Sequence, residues 1–140
     1  MRLRLAGAND QGWINERYDS VHFLRSDLSH DLVVVAEMDG QPAGIGRLVP
    51  AGADACELGG MLVFEEFRGR GVARAIIEEL LAHAAGRTVY CVPFADLEPI
   101  YEGAGFVRTG PDDALPSHIR EKLDWCAREI DRKVLLMIRR

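Results

Sequence analysis

The chain has 140 residues, of which 48% are hydrophobic and 28% charged, with a formal net charge of −5. That balance is an ordinary globular one at a length that supports a sizeable core, and it disfavours nucleic acid as a partner. Three widely spaced cysteines, Cys56, Cys91 and Cys126, and four scattered histidines give neither a disulfide framework nor a metal signature. With no apolar run long enough to span a bilayer and an N-terminus too short and polar for a signal peptide, the expectation is a cytoplasmic protein with no membrane partner.

Residues 3–6 read as a short edge strand. Residues 9–29 read as helical, because Trp13, Ile14, Tyr18, Val21 and Leu24 recur at helical spacing. Residues 32–38, LVVVAEM, are rich in β-branched side chains; Asp39-Gly40 is a strong turn pair, and residues 43–49 return, so a hairpin is predicted. Residues 56–64 form the next strand, interrupted by Gly59 and Gly60, a pair that suggests a bulge or a close backbone approach.

Residues 71–85 have an apolar face of Val72, Ile76, Ile77, Leu80, Leu81 and Ala84, which predicts an amphipathic helix stopped by Gly86. Residues 88–92 read as a strand closed by Pro93. A short helix follows, capped by Asp96, with Pro99 in its first turn and its end near Gly103. Residues 106–108 look extended and 109–116 form a loop. Residues 117–130 make a helix capped by Ser117, and residues 134–138 make a closing strand. A mixed sheet with helices on its faces is the fold class these elements predict, all within one domain spanning residues 1–140.

The most informative stretch is the turn Arg68-Gly69-Arg70-Gly71-Val72-Ala73 between strand and helix. Such a turn leaves backbone N–H groups free at the positive end of a helix dipole, a ready site for an anion. Arginine is well suited to phosphate oxygens, so a small phosphorylated ligand is expected there. The turn lacks the Lys-Ser/Thr ending of a P-loop and is not GxGxxG, which disfavours a dinucleotide fold.

In register, Arg68, Gly71 and Ala73 match the pattern Arg/Gln-x-x-Gly-x-Gly/Ala, and Tyr101 to Phe106, YEGAGF, matches a later tyrosine helix with a closing Gly-Phe. On these motifs, over roughly residues 30–108, the chain resembles the GNAT superfamily of acyl-CoA-dependent N-acyltransferases. The resemblance implies an α/β fold with a mixed, mostly antiparallel sheet splayed to form a cofactor cleft. It implies acetyl-CoA as co-substrate, with its arm along Met61, Leu62 and Val63. Its pyrophosphate would sit on the amides of Gly69, Arg70, Gly71, Val72 and Ala73, with Arg68 and Arg74 beside them. Phe94 stands where many relatives carry an asparagine that helps bind the arm.

The implied reaction is direct attack of a primary amine on the thioester. It requires removal of a proton from the amine and protonation of the departing thiolate. Tyr101 occupies the position of the family's general acid. Glu57 is the candidate base, with water as the alternative. Cys91, Cys56 and Cys126 read as core, and His22 and His118 as surface or packing residues. A small-molecule or peptide amine is the expected acceptor, met by Trp13, Arg17, Tyr18, Phe23, Arg25 and Arg47. The stretch 109–132 would cover that site or build a homodimer interface. A non-catalytic acyl-CoA sensor or an interaction protein on the same scaffold is the alternative function.

Overall fold

The structure is a computed structural model and describes every residue except Pro111 and Asp113. Its strands are β1 (Arg2–Leu5), β2 (Leu32–Met38), β3 (Gln41–Pro50), β4 (Ala55–Val63), β5 (Thr88–Cys91), β6 (Val107–Arg108) and β7 (Met137–Arg139). Its helices are α1 (Gln11–Ser20), α2 (Val72–Ala82), α3 (Glu98–Gly103) and α4 (Ser117–Glu129). The strands form one sheet in the order β1-β2-β3-β4-β5-β7-β6. Every neighbouring pair is antiparallel except β4 and β5, which run parallel. The predicted mixed, mostly antiparallel sheet is therefore present.

The β2–β3 hairpin turns at Asp39 (φ 54°) and Gly40 (φ 74°), the two left-handed residues that a tight hairpin turn requires. Helix α2 lies on the opposite sheet face from α1 and α4. Side chains alternate along β3, so Gly44 and Gly46 face α2 while Arg47 faces α1. A Cβ on Gly46 would stand 2.7 Å from Ile76 and one on Gly44 2.9 Å from Val72, so both glycines let α2 pack close to the sheet. Val72, Ile76, Ile77 and Leu80 supply the buried face of α2, as its apolar spacing predicts. The main core lies between these helices and the sheet, and a smaller cluster of Ala51, Leu115, Ile119 and Leu136 seats α4.

Several predicted boundaries move. The first helix stops at Ser20 instead of continuing to residue 29. His22 turns left-handed (φ 60°), and the Phe23 amide folds back onto the Tyr18 carbonyl at 3.0 Å. Beyond it, side chains hold the backbone in place of a helical ladder: Asn15 Oδ1 accepts from the Ser26 amide (2.7 Å), and the Asp31 carboxylate accepts from Ser26 Oγ (2.6 Å). Asp96 does not cap α3; its carboxylate accepts from Arg132 at 2.9 Å. Ser117 is the first residue inside α4 and makes no capping bond; Pro116 stands at the cap position. The closing strand is shorter and later than predicted, with only a bridge from Val134 to Phe94 ahead of it. The predicted 109–116 loop falls partly outside the described residues.

Candidate active site

The parallel β4–β5 pair is short. Register runs from Ala55↔Thr88 to Leu58↔Cys91 and stops, while β4 continues to Val63 paired with β3 alone. The strands part there because β4 bulges. Arg47 pairs with Gly59 and Ile45 with Leu62, so Gly60 and Met61 together face the single residue Gly46. Gly60 has φ 57°, and a Cβ on it would lie 2.6 Å from the Tyr18 hydroxyl and 2.8 Å from Arg47 Nε. Only glycine fits without strain. Tyr18 locks the bulge by donating its hydroxyl to the Gly60 carbonyl at 2.7 Å, and burial pushes its pKa up, which keeps it a donor.

The outer edge of residues 61–63 opens into a groove of about 950 Å³. Met61, Leu62, Val63, Arg68, Gly69, Gly71, Val72, Ala73 and Arg74 line one wall, and Phe94, Leu97 and Tyr101 stand across from them. The turn into α2 supplies the groove's polar end. Gly69 (φ 76°) and Gly71 (φ 78°) are left-handed, and Gly71 is the residue from which α2 starts. The amides of Gly69, Arg70 and Gly71 donate to no backbone acceptor among the described residues, and those of Val72 and Ala73 open the helix, where no intrahelical partner exists. The Arg68 guanidinium reaches the Val63 carbonyl at 3.4 Å. The Arg70 side chain is turned out of the groove toward Asp39, 3.6 Å away, so only its backbone faces the turn.

The inner end of the groove adjoins a cavity of about 70 Å³, and Met61, Phe94 and Tyr101 line both. Tyr101 is 4% exposed and packs edge-to-face on Phe106 (5.9 Å, 80°). Burial, and then the nearby Cys91 and Glu57, push its phenol up, so it stays protonated at neutral pH. Glu57 lies on β4 at the far side of the cavity and is 3% exposed. Burial alone would raise its pKa, but His118 Nε2 bonded to Oε1 at 2.9 Å and Lys122 Nζ 3.5 Å from Oε2 outweigh that and lower it. The same hydrogen bond raises the pKa of His118.

His118 and Lys122 are one turn apart on α4; His118, expected as a surface or packing residue, and Lys122, with no expected role, both meet Glu57. Their i, i+4 spacing on an amphipathic helix was the available signal, but their partner Glu57 is 61 positions away from His118 in the chain. Conversely, the three arginines expected at the acceptor site line neither cavity. Arg25 pairs with Asp19 at 2.6 Å, Arg17 lies 3.9 Å over the Phe64 ring, and Arg47 is buried over Tyr18 with a bond to the Leu24 carbonyl. Of the residues expected around the acceptor, Phe23 lines both cavities, while Trp13 donates to Asp10 at 2.8 Å. Cys91 is 1% exposed with its thiol pushed up by burial, consistent with a core residue.

A splayed parallel pair beside a free-amide turn is the architecture that the sequence motifs imply. The model of the GNAT acetyltransferase domain matches residues 29–108, more than half of the sequence. The chain belongs to the GNAT acetyltransferase family. Among solved structures, this acetyltransferase superposes on Rv2747 from Mycobacterium tuberculosis in complex with CoA, with a TM-score of 0.78 and 19% identity, covering 99% of this chain and 98% of that one. It superposes on a variant of spermidine N-acetyltransferase SpeG from Vibrio cholerae with a TM-score of 0.71 and 16% identity, covering 99% and 94%. N-acetylglutamate synthase from Neisseria gonorrhoeae, complexed with coenzyme A and N-acetyl-glutamate, gives a TM-score of 0.74 at 19% identity; this chain is 99% covered but spans only 34% of that one. None of the curated proteins matches the sequence.

Helix α4 lies beyond the matched segment, so His118 and Lys122 are additions to the part of this acetyltransferase that the family model describes. Among the described residues, no group of three or more metal-ligating side chains is assembled, and no helix is long and apolar enough to cross a membrane.

Proposed function

We propose that the chain, as one domain, transfers the acetyl group of acetyl-CoA to a primary amine by direct attack in a ternary complex. The observation that carries this is a single groove with an unpaired strand edge along one wall and a free-amide turn at one end. Its inner end meets Tyr101 beside the cavity that holds Glu57. Those features fit the co-substrate. Met61, Leu62 and Val63 would pair with the amides of its arm as a neighbouring strand would, and the amides of Gly69 to Ala73 would hold the pyrophosphate, with Arg68 and Arg74 flanking. When bound, acetyl-CoA supplies the activated acetyl group.

The rest is done by side chains of the protein. Glu57 removes a proton from the amine, and the Tyr101 hydroxyl gives one to the departing sulfur. The apolar lining from Phe23, Phe94, Leu97 and Trp125 excludes bulk water from the cavity. Cys91 takes no part: a buried thiol of raised pKa is a poor nucleophile, so no acyl-enzyme forms. The similar structures include proteins of spermidine and of glutamate acetylation. Both amines therefore belong in an acceptor panel with phenethylamine, which suits an apolar cavity, and an N-terminal alanine peptide.

Gly71→Glu tests the cofactor assignment. Its Cβ meets nothing within 4 Å, so the cost to the fold is the strain of a side chain at φ 78°, about 1–2 kcal/mol, while a carboxylate would then stand at the anion turn. Calorimetry should show acetyl-CoA binding abolished. Unchanged affinity would remove the assignment.

A further inference from the structure

A buried base has to discard the proton it takes before it can act again. Glu57 faces this problem acutely, because its side chain is only 4% exposed. Its two oxygens look different ways. Oε2 lies toward Gly59 and Lys122, which line the cavity, while Oε1 is held by His118 Nε2 at 2.9 Å. His118 itself does not line the cavity, and its side chain is 38% exposed. The imidazole thus stands between a buried carboxylate and bulk solvent.

We propose that His118 is the proton exit of the active site, receiving from Glu57 the proton that Glu57 takes from the amine and releasing it to solvent. The proposal rests on the assignment of Glu57 as base. In each cycle an N–H bond of the attacking amine breaks as an O–H bond forms on Glu57. Rotation of the carboxyl group brings that proton from the cavity side to the His118 side, it passes to Nε2 of the neutral Nδ1–H tautomer of His118, and the Nδ1 proton leaves to water. Glu57 is a carboxylate again, the ring regains its Nδ1–H tautomer by exchange with water, and Tyr101 takes back from water the proton it gave to sulfur, so one proton passes from amine to solvent while one passes from solvent to the thiol.

The surrounding charges set the direction of transfer. Lys122 from α4 and Arg47 from β3 act with His118 to lower the proton affinity of Glu57. Glu57 and Glu121 raise that of His118, which outweighs burial and the opposing charge of Lys122. Tyr101 from α3 and Cys91 from β5 also sense the Glu57 charge, but both are raised and stay protonated. A proton shared by the pair therefore resides on His118. Glu57 holds it only in passing, and the site is ready only when the ring is neutral. The carboxylate that touches the cavity does the chemistry, and the histidine that touches solvent governs its pH dependence.

The test uses the full chain and has two arms. By imidazole NMR without any ligand, His118 should titrate above its ordinary value of 6.5 and fall back toward it in Glu57→Gln. Titration at the ordinary value in the wild type, unmoved by Glu57→Gln, would overturn the proposal. The second arm follows free-thiol release from acetyl-CoA with the amine panel above. His118→Gln keeps a hydrogen-bond donor but cannot relay, and it should lower kcat roughly 10-fold, at unchanged acetyl-CoA affinity, and erase the rising limb of the pH–rate profile. Imidazole in the buffer should restore turnover to His118→Ala. If Glu57→Gln is crippled while His118→Gln keeps the wild-type rate and limb, the exit route is wrong and the base stands. If Glu57→Gln is itself unimpaired, the base assignment fails and the exit route with it.

Discussion

Gly60 is the residue on which the cleft depends, and its requirement is twofold. A side chain there would adopt φ 57° and would press on the Tyr18 hydroxyl and Arg47 Nε. The left-handed conformation costs about 1–2 kcal/mol and the crowding about 1–3 kcal/mol, so Gly60→Ala should lose roughly 3 kcal/mol of stability. Denaturant midpoints measure this, and a loss below about 1 kcal/mol would mean that the bulge can relax around a methyl group. Tyr101 makes the opposite case, a residue whose removal should be nearly silent in stability. Tyr101→Phe keeps the edge-to-face contact with Phe106 and deletes only the hydroxyl. Turnover should fall about 100-fold while acetyl-CoA affinity and midpoint stay put; an intact rate on a true acceptor would remove Tyr101 as the acid. The glycine pair and YEGAGF could both be found in the sequence because each is a local constraint. The partners that make Gly60 obligatory, Tyr18 and Arg47, lie on other elements, and periodicity gave no sign of them.

Among the elements, α2 and the β2–β3 hairpin were readable because their signals are self-contained: a 3.6-residue apolar stripe, and Asp39-Gly40 in left-handed geometry. The first helix was overextended because Val21 and Leu24 keep its spacing, whereas local side-chain bonds from Asn15 and Asp31 determine the backbone beyond Ser20. Helix α4 is legible as a helix, and the stretch holding it as a cover for the acceptor site or a dimer interface, but its seat on Glu57 is not, since burying Glu57 under it is a tertiary event. That contact should leave a pH signature. The lowered Glu57 contributes stability above its ordinary 4.5, lost as pH falls through its folded value. The raised His118 contributes fully below 6.5, and its contribution is lost as pH rises through its folded value. The stability gap between wild type and His118→Gln should therefore be widest between those two values and should narrow on both sides. Unfolding midpoints from pH 4 to 9 would show it, and a gap independent of pH would mean that packing alone seats the helix.

At the scale of the whole molecule, a parallel pair that opens midway places a strand edge and a helix N-terminus along one groove, on a chain of net charge −5. The negative surface repels polyanions, so selection for a phosphorylated ligand has to come from these local donors. A ligand that uses the entire groove should stabilise the fold by mass action, about 2.7 kcal/mol at 100-fold excess over Kd, which for a chain of this length is roughly 10 °C in Tm. ADP can fill only the anion end and leaves the edge at Met61 to Val63 unpaired. Acetyl-CoA and CoA should therefore shift Tm by similar, saturable amounts at equal occupancy, with ADP well behind. Gly71→Glu should lose the shift for all three, because the turn is common to them. Equal shifts from ADP and CoA would place the binding energy at the turn alone and deprive the unpaired strand edge of its assigned role. No shift at millimolar concentration would leave the GNAT fold without its co-substrate.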